Sequence, residues 1–323
     1  MPLDLSKDLV LRWDNPDPAH VALFKKAGVT AVLPSVVDEP FSQACSTAGI
    51  ATLAPSELQF LELNKLSSAK PGANVVLTNG LWPGISRPAP VKGRGDETAS
   101  ASIEPWVDSN GYWIGYLRAL YPDRPPVLGY LPDKLGDRAV PFDSLELALI
   151  EAWTAGGNYI LALEPVFREA LLRNEPKAAA AWEQLGSTAR WLREHITLFR
   201  QDPLPIVTAL VEPGAATAEI SNLLYRRHVS PYLCPAAAPP SPDPERLALV
   251  AANLKRPEPG VVKRILANAE AGASVIAAAL PKQEWWQAAA LKSVRSDVDR
   301  EFYAFGKGRI VAYRRPVSDP SEF

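Results

Sequence analysis

Four acidic residues follow short apolar segments of the chain, at places where strands are predicted to end. They are Asp14, Glu57, Glu104 and Glu164. In a barrel of parallel strands the carboxyl ends of the strands surround one opening, so acids placed there can converge on a single ligand. Two facing carboxylates can bind hydroxyl groups or transfer protons. Asp and Glu also cap the helices that follow strands, and that structural role is the alternative for each acid.

The segment from Ser102 to Trp113 concentrates acids, an amide and aromatic rings. This composition is typical of a carbohydrate site, in which carboxylates bind hydroxyl groups or move protons and flat rings cover the apolar sugar face. The candidates here are Glu104 as a catalytic residue and Trp106, Asp108 and Asn110 as binding residues. The same residues also fit the first turn of a helix, and both interpretations can hold for different residues.

Glu164 and Asp14 each end a strongly apolar strand-like segment. Pro165 stops strand pairing after Glu164, and apolar surroundings there raise the pKa of a carboxyl group toward that of an acid or base catalyst. The first and last strands of a closed barrel are neighbours, which would bring the two acids together. Carboxyl groups about 5 Å apart suit a retaining glycosidase, and about 6.5–9.5 Å an inverting one. A helix cap at Glu164 and an Asx turn at Asp14 are the alternatives.

The chain contains nine tryptophans, about twice the ordinary usage. Indole rings stack on sugar faces as well as filling cores. The predicted sugar platforms are Trp13, Trp82, Trp106 and Tyr130. Asn79 begins a loop to Gly84 that could close over a ligand, with a solvated loop as the alternative.

The composition excludes several classes of partner. A formal net charge of -2 lacks the basic surplus of nucleic-acid-binding proteins. No apolar stretch approaches the roughly 18 residues of a membrane span. Met1 to Lys7 lacks the basic and then apolar pattern of a secretory signal. We therefore expect no nucleic acid and no membrane as partner. The sequence does not assign a location, which would be periplasmic or secreted if a leader has been removed and otherwise cytoplasmic.

The few cysteines and histidines argue against a metal site. Cys45 and Cys234 are the only cysteines, and the three histidines show no HxxH spacing. Two buried free thiols are expected, with no metal and no cofactor. Cys234 also lacks the flanking glycines of a nucleophile elbow. Gly-rich phosphate-binding turns are absent from the sequence, which removes the usual nucleotide-binding functions.

The first half of the chain alternates strand-like and helix-like segments with short connections, as βα units around a parallel sheet do. Strands are predicted at 8–13, 30–34, 50–54, 74–78, 126–131 and 158–163. Helices are predicted at 18–27, 39–48, 56–67, 107–120, 143–155 and about 175–199. Six strands are fewer than a complete barrel has, so we expect an incomplete barrel or a further strand within 84–103.

The pattern changes near residue 200 and predicts a second, doubly wound α/β sheet. Its strands are predicted at 203–211, 231–234, 246–252 and 273–279, with a terminal pair joined at 306–308. Its helices are predicted at 217–227 and 259–271, and a Pro-rich linker at 235–244. The predicted domains are therefore 1–200 and 201–323, the second structural or oligomer-forming.

Three features resemble the β-galactosidases that carry a trimerisation domain. A long helix containing Trp182 and Trp191 separates the predicted barrel from the second sheet. Ala269 to Ile276 is similar to the helix-Gly-strand unit of that domain, and Gly306 to Val311 to the hairpin near the end of those enzymes. The resemblance implies a glycoside hydrolase-like TIM barrel, a C-terminal amidotransferase-like domain, a saccharide ligand and a homo-oligomer.

The sequence departs from that family at one position. The family's general acid belongs to an Asn-Glu pair after the fourth strand, whereas the predicted fourth strand here is followed by Asn79-Gly80. The sequence thus predicts a glycoside hydrolase acting through Glu104, Glu164 and Asp14. The alternative is a catalytically degenerate barrel that binds carbohydrate or serves as an assembly module. A lyase or esterase is a weaker third possibility, since no Ser-His-Asp pattern is visible.

Overall fold

The computed structural model describes residues 3–70, 72–78, 110–130, 142–280, 284–289 and 291–319. The chain divides into two compact units. The first comprises Met1–Ile114 and Asp123–Gln201, and the second comprises Gly115–Pro122 and Asp202–Phe323.

In the described part of the first unit the strands form two parallel four-stranded sheets. They are β1 (Val10–Trp13), β2 (Ala31–Pro34), β3 (Ala51–Thr52), β4 (Leu58–Leu61), β5 (Asn74–Leu77), β6 (Val127–Leu128), β7 (Asn158–Tyr159) and β8 (Leu161–Ala162). The orders are β3-β2-β1-β8 and β4-β5-β6-β7. The extended stretch 158–162 joins the two sheets, because β7 pairs with β6 and β8 pairs with β1. Among the described residues β3 and β4 are not paired, so the ring of strands is open there.

A single apolar cluster fills the space that these strands surround. Its members, which lie in the strands or directly beside them in the chain, are Val10, Ala31, Leu33, Leu53, Leu58, Val76, Val127 and Ile160. Side chains alternate between the two faces of a strand, so one residue from each strand can point to the same interior. A packed interior of branched side chains is typical of a (β/α) barrel. The first unit is therefore a mixed α/β structure consistent with a TIM-like barrel.

Helices follow most strands of the first unit. They are α1 (Val21–Lys26), α2 (Glu39–Thr47), α3 (Gly111–Leu120), α4 (Ser144–Thr154), α5 (Pro165–Leu172), α6 (Pro176–Glu194) and α7 (Ile196–Phe199). Residues from Gly115 onward in α3 belong to the second unit. The long helix α6 packs closely on α1. Nε1 of Trp182 donates to the Leu23 carbonyl at 2.8 Å, and a Cβ on Gly186 would lie 2.5 Å from Cα of Ala27.

The structure corrects the predicted helix at 56–67. That segment contains a short 3-10 helix (Pro55–Glu57), the strand β4 and a second 3-10 helix (Leu63–Ser68). The spacing of Leu58, Phe60 and Leu61 fits both a helix and a strand. This segment forms a strand because it pairs with β5 along its whole length. The helix α5 was also not predicted, although Pro165 stands at its first position, as prolines often do.

The second unit contains one seven-stranded sheet. Its strands are β9 (Val207–Val211), β10 (Tyr232–Pro235), β11 (Ala248–Leu254), β12 (Ser274–Ala279), β13 (Lys292–Ser296), β14 (Arg300–Phe305) and β15 (Gly308–Tyr313). The order is β10-β9-β11-β12-β15-β14-β13. The first five in this order are parallel, and β14 and β13 add an antiparallel edge. The strand β13 was not predicted.

Two helices cover opposite faces of this sheet. Ile220 of α8 (Ala215–Arg226) packs in a cluster with Val250 and Ala252, whereas Ile265 of α9 (Pro259–Ala271) packs with the alternate β11 residues. The Pro-rich segment before β11 is held on the sheet by buried polar groups. Nη1 of Arg246 donates to the Ser241 carbonyl at 2.7 Å and to Oδ1 of Asn268 at 2.8 Å.

Candidate active site

Asp14 and Glu164 continue the interior faces of two neighbouring strands. Val10 points into the interior cluster, so Arg12 and Asp14 share its face at the carboxyl end of β1. Ile160 points into the same cluster, which puts Ala162 and Glu164 on the interior face after β8. We call the opening at the carboxyl ends of β1–β8 the mouth.

Parallel pairing puts these acids after the same ends of two neighbouring strands. Leu11 pairs with Leu161 and Arg12 with Ala162. Asp14 and Glu164 each stand two residues beyond the last of these pairs, and neighbouring strands lie about 4.8 Å apart. The first and last strands of the ring are thus neighbours, as the sequence predicted.

Glu164 caps the helix α5 from a buried position. Glu164 is only 7% exposed, and its Oε1 accepts a hydrogen bond from the Val166 N–H at 3.3 Å. Burial raises the pKa of this carboxyl group above its ordinary value. The backbone N–H groups of Val166 and Phe167 act in the opposite direction, and Glu169 adds a smaller upward effect. The capping role and a raised pKa therefore coexist in one residue.

Two arginines flank Asp14. Nε of Arg12 lies 3.7 Å from Oδ1, and Nη1 of Arg168 lies 3.9 Å from Oδ2. The Arg12 guanidinium also lies 5.9 Å from the ring centroid of Phe60, within the range of a cation–π contact. Arg168 stands one turn after the cap of α5, since its N–H donates to the Glu164 carbonyl. The mouth cluster, as we use the term, is Arg12, Asp14, Phe60, Glu164 and Arg168.

The charged side chains of Arg12, Asp14 and Arg168 reach solvent, and exposed apolar residues follow the neighbouring strand β2. The side chain of Asp14 is 49% exposed, while those of Arg12 and Arg168 are 31% and 28% exposed. Val36 and Val37 follow β2 and are 65% and 58% exposed. Ser35, directly before them, donates through Oγ to the Asp14 carbonyl at 2.6 Å. Exposed apolar side chains next to polar groups are typical of ligand-binding surfaces.

Glu62 is a further acid at the mouth, which the sequence pattern does not single out. Leu58 and Phe60 point to the interior cluster, so Glu62 continues their face directly after β4. Because the apolar spacing of this segment also fits a helix, the sequence predicts residues 74–78 as the fourth strand. It is the fifth, and the acid that follows the fourth strand is Glu62.

Two of the predicted sugar-binding residues are largely covered. Trp13 points away from the interior and is 1% exposed, with its ring edge-to-face against Phe24 and His20. Its Nε1 donates to Nδ1 of His20 at 3.3 Å. Tyr130 follows β6 and is 5% exposed. Neither ring has a free face for a sugar in this structure.

Asn110 and Glu57 are not brought to the mouth. The Asn110 N–H donates to Oε2 of Glu151 at 2.8 Å, and Glu151 lies in the last turn of α4, which leads into the start of β7. Asn110 is therefore nearer the amino ends of the strands. Glu57 directly precedes β4, and its Oε1 accepts the Ala54 N–H at 2.6 Å, so it serves as a local cap.

Five predicted site residues lie outside the described residues. They are Asn79, Trp82, Glu104, Trp106 and Asp108.

The sequence pattern does not single out Arg12 and Arg168, because a charged residue on a strand or a surface helix is common. The one signal was Arg12 itself, a charged residue within an otherwise apolar strand.

The two cysteines are buried free thiols. Burial raises the pKa of Cys45 and raises that of Cys234 to about 12, so the reactive thiolate form is disfavoured at both. Among the described residues no group of three His, Cys, Asp or Glu side chains could hold a metal ion. None of the described helices is long and apolar enough to cross a membrane.

In the second unit the usual ligand crevice of a doubly wound sheet is occupied by the chain itself. Such sheets bind ligands outside the carboxyl ends of strands where the order reverses, here at β9 and β11. The Tyr116 hydroxyl donates to the Glu212 carbonyl and accepts from the Gly214 N–H, both at 2.9 Å. The Lys255 N–H donates to Oε1 of Glu212 from the end of β11. Among the described residues the mouth of the first unit is therefore the better candidate site.

Solved structures resemble this fold along its length. An exo-β-1,4-mannosidase from Opitutaceae bacterium strain TAV5 has a TM-score of 0.58 at 11% identity, over 100% of this chain and 96% of that one. A β-galactosidase from Rahnella sp. R3 has a TM-score of 0.51 at 10% identity, over 87% of this chain and 54% of that one. The chain has a glycoside hydrolase-like fold. It spans about half the length of that β-galactosidase. No protein-family model matches the sequence, and neither does any curated protein.

Proposed function

We propose that this chain is a glycoside hydrolase that cleaves an O-glycosidic bond at the mouth of its barrel. The observation that carries the proposal is the parallel pairing of β1 with β8, because Asp14 and Glu164 directly follow these neighbouring strands at the same ends. Paired carboxylates at a barrel mouth are what glycosidic hydrolysis requires. The glycoside hydrolase-like fold supports the same reaction class.

In this proposal the two carboxylates have different roles, because their surroundings differ. Glu164 is buried and its pKa is raised, so it supplies the proton to the leaving oxygen. Asp14 is exposed and flanked by guanidinium groups, so it attacks the anomeric carbon or stabilises its positive charge. Carboxyl groups carried on neighbouring strands suit a separation of about 5 Å, which predicts retention of anomeric configuration.

Glu62 enters the proposal as a second partner for Glu164. The resemblance to β-galactosidases implies an acid after the fourth strand, and Glu62 stands there. Glu62 therefore takes the place that the sequence assigned to Asn79-Gly80, although Leu61 and not an asparagine precedes it. Glu104 keeps its predicted catalytic role only as a proposal from the sequence.

The experiment is a screen of aryl glycosides, with turnover and sugar binding measured on the same protein. We expect hydrolysis of at least one glycoside and, by NMR of the first product, a retained anomer. Binding without turnover would favour the degenerate barrel over the hydrolase. Loss of turnover in Glu62→Gln but not in Asp14→Asn would make Glu62 the partner of Glu164.

We also propose that residues 201–323 form an amidotransferase-like domain with a role in homo-oligomer formation. The seven-stranded sheet with α8 and α9 on opposite faces supports this, as does the occupation of its ligand crevice by Tyr116. Light scattering on the purified chain tests it, and a monomer at all concentrations would contradict the oligomer.

A further inference from the structure

The guanidinium groups of Arg12 and Arg168 have hydrogen-bonding capacity that Asp14 does not use. The nitrogen–oxygen distances of 3.7 and 3.9 Å exceed those of charge-assisted hydrogen bonds, about 2.7–2.9 Å. Neither side chain forms a hydrogen bond with the described residues. Each guanidinium carries five N–H donors in a planar fork, so both remain able to bind an acceptor.

The position of these donors suits a ligand rather than the core. Both side chains are about three-tenths exposed and stand at the mouth, on either side of the same carboxylate. The Phe60 ring beneath Arg12 holds one guanidinium in place without taking its donors. Arg168 is held by the first turn of α5, which Glu164 caps. A positioned guanidinium loses little entropy on binding.

Planar guanidinium forks match carboxylates, which they bind through two parallel hydrogen bonds. We propose that Arg12 and Arg168 bind the carboxylate of an acidic saccharide, so that the ligand of the mouth cluster is a uronic acid unit. This inference rests on the proposed function, whose substrate class it names. In a pyranuronic acid the carboxyl-bearing carbon and the anomeric carbon flank the ring oxygen. A carboxylate held by the arginines therefore brings the anomeric carbon close to Asp14.

The charges at the mouth cluster agree with this ligand class. Within the mouth cluster two guanidinium groups face one exposed carboxylate, and the second carboxylate of the cluster, Glu164, is buried and engaged by the backbone of α5. Glu62 adds a further acid outside the cluster, directly after β4. Exposed Val36 and Val37 offer an apolar surface to the sugar ring beside the charged groups. Removing the charge of Asp14 should strengthen the attraction for an anion, whereas removing either arginine should weaken it.

The test is calorimetric titration of the full chain with two matched pairs of probes. They are D-galacturonate with D-galactose, and D-glucuronate with D-glucose, and sodium acetate is the probe for a bare carboxylate. We expect one uronate to bind at least about tenfold more tightly than its neutral partner, as one charge-assisted contact provides. Arg168→Gln and Arg12→Gln should remove that preference, and Asp14→Asn should increase it.

Arg173→Gln is the matched control, because Arg173 ends the same helix and pairs with Glu169 and Glu175 away from Asp14. It should leave the uronate preference unchanged. Equal binding of uronates and neutral sugars would overturn this inference and leave the proposed function standing. Failure of every uronate to bind would overturn this inference, and the proposed function would fall with it only if no aryl glycoside is hydrolysed either. Acetate binding as tight as uronate binding, or a preference that survives in both arginine variants, would overturn the inference alone.

Discussion

The ion pair between Asp14 and Arg168 connects the end of β1 with the helix that Glu164 caps. Nη1 of Arg168 lies 3.9 Å from Oδ2 of Asp14, and the Arg168 N–H donates to the Glu164 carbonyl. The strands β1 and β8, which these two acids follow, pair in parallel. Strand pairing and a side-chain contact thus connect the segments that carry Asp14 and Glu164.

Glu164 has a structural and a proposed chemical role, and two substitutions separate them. Glu164→Ala removes the cap of α5 and should lower the free energy of unfolding by about 1 kcal/mol. Glu164→Gln keeps a side-chain oxygen for the Val166 N–H and should cost clearly less. Denaturant unfolding of both variants measures this. Equal destabilisation by the two would show that the capping bond contributes little.

The pH dependence of stability should report the raised pKa of Glu164. Because burial raises this pKa in the folded protein, the folded state holds the proton at pH values where the unfolded state has lost it. The stabilisation is complete below the ordinary glutamate value and is lost as the pH rises through the raised pKa. The wild type should therefore lose stability relative to Glu164→Gln across that window. Parallel unfolding curves at all pH values would contradict the raised pKa.

Gly186 marks the closest approach of α6 to α1 and should not tolerate a side chain. A Cβ there would lie 2.5 Å from Cα and 2.9 Å from the carbonyl carbon of Ala27, both backbone atoms that cannot move aside. Gly186→Ala should destabilise the chain by about 1–3 kcal/mol through overpacking. Gly260→Ala is the matched helical control, since nothing lies within 4 Å of its Cβ position. It should be neutral or stabilising by up to about 1 kcal/mol, as thermal or denaturant unfolding would show.

Local patterns predicted much of the secondary structure. The helix at 259–271 has the observed bounds of α9, because Pro259 starts it and Gly272 ends it with a positive φ. The segment that became β4 could not be assigned in this way. Its apolar spacing fits a helix as well as a strand, and only pairing with β5, which is not local in sequence, decides between them.

The candidate site shows the same division between local and non-local information. Asp14 and Glu164 could be predicted, because each ends an apolar strand and the first and last strands of a barrel are neighbours. Glu62 could not, because it depends on the strand that was read as a helix. Arg168 could not either, because its approach to Asp14 depends on how α5 packs beside β1. The sequence likewise does not reveal that Trp13 packs against Phe24, away from the interior.

The most direct test of the central claim compares kcat/KM of the wild type, Glu164→Gln and Glu175→Gln on the best aryl glycoside. Glu175 is the matched control, an acid directly before α6 whose side chain makes no capping bond. If Glu164 transfers the proton, Glu164→Gln should lower kcat/KM by about 10²–10⁴-fold while remaining folded. Glu175→Gln should retain the wild-type value. A Glu164→Gln protein with wild-type kcat/KM would contradict the assignment of Glu164 and, with it, the proposed pair.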